Sequence, residues 1–502
     1  MAVGCHRLGL TLGAGCLLTL ASSVDATGLV LHESSDPARV LDPGSVVGLV
    51  TTSPHRHRPA DATLSFYRIE DGWGEPELLF VERAPGDDEI VFRFEAPADG
   101  FTYLDQSPAT CPFDETACEL LWPPAERGEL TTFRSVERFR GCAFERSFHV
   151  YVPSRVTEPV PLVVYLHGGT GSALGLLPLQ LDELADGRVT GWRRNTEDCR
   201  WEPGEGFRSV ADGTECRPPF LPIVGTQPFI LVLPDGVLDP DSDSDRHWED
   251  GRVESPGWST VEQQRDDVGF LDHVLETLFL HEGERVDAER TYLAGASNGG
   301  MMTQRAACAA VAGTQPHLAR LAAVAVGVAT LPEALWLGSD GRERCDLVGS
   351  LELPVQFITG RGIDTPDCVS FPCASPIVDG DGRIPYGESG GVHSVYSPDL
   401  GRVLNGPDTH AHWLAYLERV SGGAGDELVE SVGHFTELRR HTWPVASATF
   451  EVWLTDGGDH GLAGTRLDFL PWAQQWHFLA QFRRAADGVL RREEVEVIAG
   501  EF

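Results

Sequence analysis

Five short apolar runs constrain this chain more than any other feature: Pro161–Leu166, Phe229–Leu233, Leu321–Val328, Leu353–Ile358 and Thr449–Leu454. Each is strand-length and rich in aliphatic residues, so each reads as a strand covered on both faces. Phe148-His149-Val150-Tyr151-Val152 alternates instead, as a strand with one wetter face does. Between the runs lie helical patterns. Asp267-Val268-Gly269-Phe270-Leu271 leads into Val274, Leu275 and Leu278 after an Asp cap, and a Met- and Ala-rich stretch follows Ser297. Strands alternating with helices predict an α/β fold, a mainly parallel sheet with helices on both faces, whose ligands bind beyond the carboxyl ends of the strands. Three long connections, 188–227, 239–265 and 365–386, are expected to crowd over that mouth as lids or binding loops.

The chain is long enough for more than one domain: 502 residues, 41% hydrophobic and 23% charged. Its net charge is -37 and it contains no lysine. That balance argues against nucleic acid and against insertion at anionic membranes, and favours a neutral substrate. Residues 1–26 join Arg7, an apolar stretch at Leu8–Leu20 and the small-residue site Val24-Asp25-Ala26, the pattern of a secretory signal cleaved near Ala26. Residues 27–135, with alternating segments such as Thr63–Tyr67 and Ile90–Phe94, are expected to form a small all-β accessory domain. A catalytic domain at 136–490 and a tail at 491–502 complete the division.

Export permits disulfides. The spacing suggests Cys111–Cys118, Cys199–Cys216, Cys368–Cys373 and a longer Cys308–Cys345 bridge, leaving Cys142 over. None of these pairs has a zinc-ligand arrangement, and no metal or other cofactor is expected. The alternating carboxylates of Asp239–Asp245, with Asp250, lack the central Gly and terminal Glu of a helix-loop-helix calcium loop, and read as a solvated acidic loop. Trp192, Trp201, Trp248 and Trp258 fall in the mouth loops and read as local core rather than as site residues.

Ser297 sits in Gly295-Ala296-Ser297-Asn298-Gly299, between the strand-like Thr291–Ala294 and a helix. A serine on a sharp strand-to-helix turn needs a tiny residue two positions before it and two after, because backbone and helix come close there. Gly387–Gly391 has the same spelling around Ser389, without a convincing strand or helix, and is the decoy. Pro161–Leu166 ends in His167-Gly168-Gly169, where glycines let backbone N–H groups face a developing oxyanion, with Asn298 N–H and one near Gly169 as the donors. A base follows in the required chain order: Thr449–Leu454 runs into Asp456-Gly457-Gly458-Asp459-His460, whose loop can swing His460 toward the serine. His441 precedes that strand and would enter from the wrong end, and His434 and His410 have no comparable strand end. For the acid, Asp364 and Asp381 both follow the Leu353–Ile358 strand.

These pieces together resemble the secreted polyhydroxybutyrate depolymerase and feruloyl esterase-like branch of the α/β-hydrolases, related to carbohydrate esterase family 1. The resemblance is carried by Pro161–Gly169, Leu233–Gly236, Asp266–Phe270, Ser297–Met302 with Cys308, and Asp381–Tyr386, and it spans roughly Cys142 to Arg484. It implies an α/β-hydrolase fold and places the acid on Asp381 and the base on His460. The chain departs from the family where His-Gly usually precedes the acid, having Thr359-Gly360-Arg361-Gly362, and where an insertion separates Asp364 from Asp381.

The expectation is a serine ester hydrolase acting on small esters or ester-bearing polymers: feruloyl or acetyl groups on polysaccharide, or hydroxyalkanoates. A catalytically inactive surface-binding protein and a serine peptidase are the rivals. A dehalogenase is disfavoured because it would need Asp in place of Ser297.

Overall fold

In the computed structural model the described residues are 100–109, 128–139, 142–154, 156–179, 199–202, 206–209, 228–238, 246–252, 265–337, 345, 347, 349–361, 394–397, 401–404, 406–432, 436–444, 447–456 and 471–493, with short strands before residue 95. The chain divides into two compact units, Met1–Thr102 with Val136–Glu145, and Tyr103–Ser135 with Arg146–Phe502. In the first, strands 46–50, 64–68 and 77–79 form an antiparallel sheet, and Cys16–Leu20 pairs antiparallel with Ile90–Phe94.

Among the described residues the main sheet has eleven strands: β1 (Gly100–Pro108), β2 (Gly128–Phe139), β3 (Cys142–Pro153), β4 (Val160–Leu166), β5 (Ile230–Pro234), β6 (Val286–Ala296), β7 (Ala323–Gly327), β8 (Val355–Arg361), β9 (Asp426–Val432), β10 (Thr436–Trp443) and β11 (Ala448–Asp456). Their spatial order is β9-β10-β11-β8-β7-β6-β4-β5-β3-β2-β1. Strands β5, β4, β6, β7, β8 and β11 all run parallel, while β3 and β10 pair antiparallel at their flanks. This is the α/β-hydrolase order, a mainly parallel sheet opened by an antiparallel hairpin. Every residue of β4, β5 and β7 is buried, as their unbroken apolar sequences require.

Helices cover both faces. On one lie α1 (Asp267–His281), α2 (Asn298–Ala312) and α4 (Gly406–Ser421), α2 packing on β4, β6 and β7 and α4 on β11; the short α3 (Glu333–Leu337) contacts strand 401–404. On the other, α5 (Pro471–Leu479) sets Trp476 and Phe478 against Val163, Tyr165, Tyr292 and Ala325. Asp266 caps α1 by accepting the N–H of Gly269 at 2.9 Å, as its sequence position anticipates. Strands β9 and β10 and helices α4 and α5 are additions that the five apolar runs do not announce. Cys308 and Cys345 are bridged, tying α2 to the segment after α3. The other expected pairs involve residues or side chains outside those described.

The six parallel strands end at one edge. Their register aligns Ala296 with Gly327, Gly327 with Ile358 and Ile358 with Trp453, so the connections leaving β6, β7, β8 and β11 start side by side. The chain leaves β4 for β5 on one side and reaches β6 on the other, so the strand order reverses at β4. His167, the next residue after β4, lies at that switch point.

His410 shows how tightly the added α4 packs. Its ring lies 4.7 Å from that of Phe357 in β8 and 6.2 Å from that of Phe450 in β11. Burial, with a smaller push from Arg439, lowers its pKa to about 3. The folded chain therefore keeps His410 neutral where the unfolded chain protonates it. Stability present above pH ~6.5 is lost as pH falls toward about 3, at up to ~1.4 kcal/mol per pH unit. Replacing His410 with Phe should remove about 2 kcal/mol of the stability difference between pH 7 and pH 5. Urea midpoints at the two pH values measure this, and an unchanged difference would exclude His410 as the source.

Candidate active site

Ser297 sits at the parallel-strand edge, between the last residue of β6 and the first of α2, with φ 57° and ψ -125°. That is a costly conformation for a residue with a Cβ, at roughly 1–3 kcal/mol. It is held by the Ser297 N–H donating to Gly327 O at 2.9 Å, and by Ser297 O accepting the N–H of Met301 at 2.9 Å. The glycines around it are sterically required. A Cβ on Gly295 would lie 2.6 Å from Gly299 O, and one on Gly299 would lie 2.4 Å from the carbonyl oxygens of both Leu166 and His167. A Cβ on Gly300 would meet Ala329 Cβ at 2.7 Å. The start of α2 is thus pressed onto the ends of β4 and β7, and the strand-to-helix turn has no other way to close.

Across from the serine, a Cβ on Gly168 would come within 3.5 Å of Ser297 Cβ, so this glycine faces the hydroxyl-bearing side chain. Gly169 follows in the turn to Thr170, whose N–H donates to Arg246 O at 3.0 Å. His167 Nδ1 is 2.7 Å from Gly168 O and its Nε2 accepts the N–H of Gly236 at 3.0 Å, which fixes the proton on Nδ1. Burial lowers the His167 pKa and outweighs the raising effect of the Gly168 bond, so the ring is neutral, as an Nε2 acceptor must be. His167 is a loop tie and not the base.

Two loops complete the frame. Asp235, just after β5, accepts from Ala173 N–H at 3.0 Å and Ser147 Oγ at 3.0 Å, and lies 3.3 Å from His149 Nε2. Burial alone would raise its carboxyl, but the His149 hydrogen bond and the charge of Arg246 hold it well below the usual carboxylate range. Asp267, in the first turn of α1, takes Arg146 Nη2 at 2.6 Å on one oxygen and Glu249 N–H at 2.6 Å on the other. The Arg146 guanidinium also covers the Phe270 ring at 3.9 Å.

Segment 246–252 is anchored on α2. Trp248 N–H donates to Asn298 Oδ1 at 2.7 Å, and Asn298 Nδ2 donates to Trp248 O at 3.1 Å and to Asp250 Oδ2 at 2.6 Å. Asp250 in turn holds Arg252 Nε at 2.8 Å. The Trp248 indole lies 5.1 Å from the His167 ring and donates through Nε1 to His167 O at 3.0 Å. Trp248, Asp250 and Asn298 are each 3% exposed. This corrects the reading of Asp250 as part of a solvated acidic loop: the carboxylate is buried because an arginine and an amide pay for its desolvation. Trp248, read as local core, is buried as such and also touches His167 at the root of the 167–169 turn. The contribution of Trp248, Asp250 and Arg252 to the site was not legible from motif spacing. A buried-type aromatic beside an Asp-Gly-Arg in a mouth loop was the only signal.

Among the sequence-derived candidates, Ser297, Asn298 and Gly169 are brought to this edge. His460, Asp381 and Asp364 lie outside the described residues, as does Ser389. The strands ahead of them are adjacent, however, with Arg361 at the end of β8 opposite Asp456 at the end of β11. His441 pairs with Phe450, toward the opposite edge of the sheet from Ser297. Among the described residues no cluster of three or more His, Cys, Asp or Glu is placed to hold a metal, and no helix is long and apolar enough to cross a membrane.

No protein-family model and no curated protein matches the chain. Similar solved structures include an acetyl xylan esterase from Aspergillus awamori, 14% identical, covering 63% of this chain and 89% of that one at a TM-score of 0.33. A poly(3-hydroxybutyrate) depolymerase from Bordetella parapertussis is 15% identical, covering 75% and 94% at 0.35. A glucuronoyl esterase from Solibacter usitatus is 10% identical, covering 80% and 88% at 0.34. At such scores the fold rests on the strand order and the turn geometry, not on these likenesses.

The close approach of α2 gives a direct test. Changing Gly299 to Ala forces a methyl group into two carbonyl oxygens, and should destabilise the protein by about 3 kcal/mol and disturb the turn at Ser297. Urea unfolding measures the first effect, and the rate of Ser297 modification by a fluorophosphonate measures the second. A variant with unchanged midpoint and rate would show that the helix start is not confined.

Proposed function

We propose that the chain is a serine ester hydrolase. The observation that carries this reading is Ser297 at positive φ on a strand-to-helix turn whose flanking glycines leave no room for a Cβ. An ordinary Gly-rich turn has no need to force a serine, rather than a glycine, into that conformation.

In the reaction, His460 removes the proton from Ser297 Oγ as the oxygen bonds to the ester carbonyl carbon. The carbonyl oxygen becomes an oxyanion, stabilised by the N–H of Asn298 and by one near Gly169. The Asn298 N–H, in the first turn of α2, has no partner within the helix and sits at the positive end of its dipole. His460 then passes its proton to the departing alcohol as the carbon–oxygen bond breaks, leaving an acyl-enzyme. Water, deprotonated by the same histidine, attacks the acyl carbon, and the carboxylic acid and Ser297 hydroxyl are released. Asp381 orients the imidazole and stabilises its charged form, with Asp364 the alternative acid. The mechanism uses no cofactor.

The motif resemblance supports feruloyl or acetyl esters on polysaccharide, or hydroxyalkanoate esters, as substrates. The net charge of -37 supports a neutral acyl group. The Arg7 and Leu8–Leu20 pattern of residues 1–26 supports export, to the extracellular space or periplasm.

A fluorophosphonate probe should label Ser297, mapped by mass spectrometry, and Ser297→Ala should lose both labelling and p-nitrophenyl acetate turnover. The turnover loss should be at least ~10³-fold, the scale for a missing nucleophile. Folded protein that takes no probe and turns over no ester overturns the assignment. Methyl ferulate, acetylated xylan and hydroxybutyrate oligomers then separate the substrate classes.

A further inference from the structure

Trp248 makes hydrogen bonds both to the residue after Ser297 and to the turn that faces it. Its backbone N–H and C=O pair with the side-chain amide of Asn298, 2.7 and 3.1 Å away, as two residues of neighbouring strands would. Its indole Nε1 donates 3.0 Å to the carbonyl of His167, the residue before Gly168 and Gly169. The second amide hydrogen of Asn298 goes to Asp250 Oδ2, which also accepts Arg252 Nε at 2.8 Å, while Asp250 Oδ1 takes Arg252 N–H and Nε, both at 3.0 Å. Arg305, two turns along α2, donates to Glu249 O and binds the same loop to the same helix at a second point. Gly251, at φ +94°, lets the loop turn against Leu335, which a Cβ would meet at 2.8 Å.

We infer that Trp248 and the Asn298 side chain are positioning residues that set the spacing between the two oxyanion donors. The inference rests on the reading of Ser297 as nucleophile. Asn298 acts twice: its backbone N–H meets the oxyanion, and its side chain fixes where that N–H points. The amide suits this because it offers an acceptor and two donors on a short arm, matching one N–H, one C=O and one carboxylate oxygen. Aspartate has the same shape but would set a carboxylate against Asp250 and the Trp248 carbonyl. Trp248 acts from the other side, since its Nε1 holds the carbonyl at the root of the 167–169 turn. Preorganised donors act on the transition state because they need not move when charge develops, so a shift of a few tenths of an ångström lowers rate more than binding.

The test compares wild type with Trp248→Phe, Asn298→Asp and the exchange pair Asn298→Asp with Asp250→Asn. Trp248→Phe keeps an aromatic ring against His167 and removes the Nε1 donor together with some buried volume, whose cost the thermal midpoint reads separately. Three readouts are made: p-nitrophenyl acetate kinetics, affinity for phenylboronic acid, whose tetrahedral adduct on Ser297 places an oxygen among the donors, and the thermal midpoint. Trp248→Phe should lower kcat/KM and boronate affinity together, by ~10-fold or more, and Asn298→Asp by up to about 10²-fold. The exchange pair should recover part of the Asn298→Asp loss by reversing the direction of one hydrogen bond. Proportional losses in rate and boronate affinity, larger than any change in KM, are the sign of donor placement. Trp248→Phe with wild-type kcat/KM and boronate affinity, or an exchange pair no better than Asn298→Asp, overturns the inference while leaving Ser297 as nucleophile. Wild-type protein that neither turns over the ester nor binds the boronate overturns both.

Discussion

The contact of Gly299 with the carbonyls of Leu166 and His167 is the constraint on which the rest of the site depends. With its Cα against two carbonyl oxygens from the end of β4, α2 begins as close to the sheet as a backbone can come. Gly295 and Gly300 meet the same limit against Gly299 and Ala329, so the chain must reverse from β6 into α2 within one residue. Ser297 is that residue, and its positive φ follows from the packing rather than from any preference of serine. The strain is local and small beside the burial of α2, whose residues from Asn298 to Gln304 are all buried. The same closeness sets Gly168 opposite the serine, so one steric condition both exposes the hydroxyl and brings up the loop that faces it.

Around this turn a strongly acidic chain places its carboxylates with care. Asp235, Asp250 and Asp267 are all buried, and each joins a loop at the sheet edge to an element beneath it. Asp235 holds the 171–173 segment and Arg246, Asp267 holds Arg146 and the Glu249 amide, and Asp250 holds Arg252 and Asn298. None of these ion pairs need add much to stability over an apolar substitute of equal volume. Their value lies in direction: a carboxylate with two or more fixed donors admits only one loop position. His167 follows the same logic without charge, since its neutral ring donates through Nδ1 and accepts through Nε2.

Much of this was legible in the sequence because the responsible signals are local. The runs at 161–166 and 229–233 are apolar without interruption because helices cover both faces of their strands, and Asp266 caps α1 by accepting Gly269 N–H just before the helical pattern begins. The strand-to-helix turn was legible for a steric reason: glycine at 295 and 299 is demanded by backbone atoms close in space, and Leu166-His167, which Gly299 meets, runs into its own Gly168-Gly169 pair. Strands β9 and β10 were not, because Asp426–Val432 is exposed along six of its seven residues and has no apolar face to reveal it. The buried role of Asp250 was hidden for a different reason. Its partners, Arg252 and Asn298, are two and 48 residues away, and only the fold shows that the second is beside it.

The site thus separates two tasks with different tolerances. In the proposed reaction the donors that meet a developing oxyanion are backbone groups, which cannot be tuned by rotamer and must be placed by packing. They are accordingly fixed from three directions: by Gly299 on β4, by Trp248 on His167, and by Asn298 on the 246–252 loop. In the proposed reaction the groups that move protons, His460 and Asp381 or Asp364, are side chains that follow β8 and β11 in the chain. A side chain with two or more torsions can adjust to loops of different length, provided the strands bearing those loops stay adjacent. Adjacency is what the sheet supplies, with seven consecutive residue pairs joining β8 to β11 up to Arg361 and Asp456. On this argument the insertion between Asp364 and Asp381 is compatible with the proposed catalysis, whereas an insertion of even one residue between Gly295 and Gly299 is not.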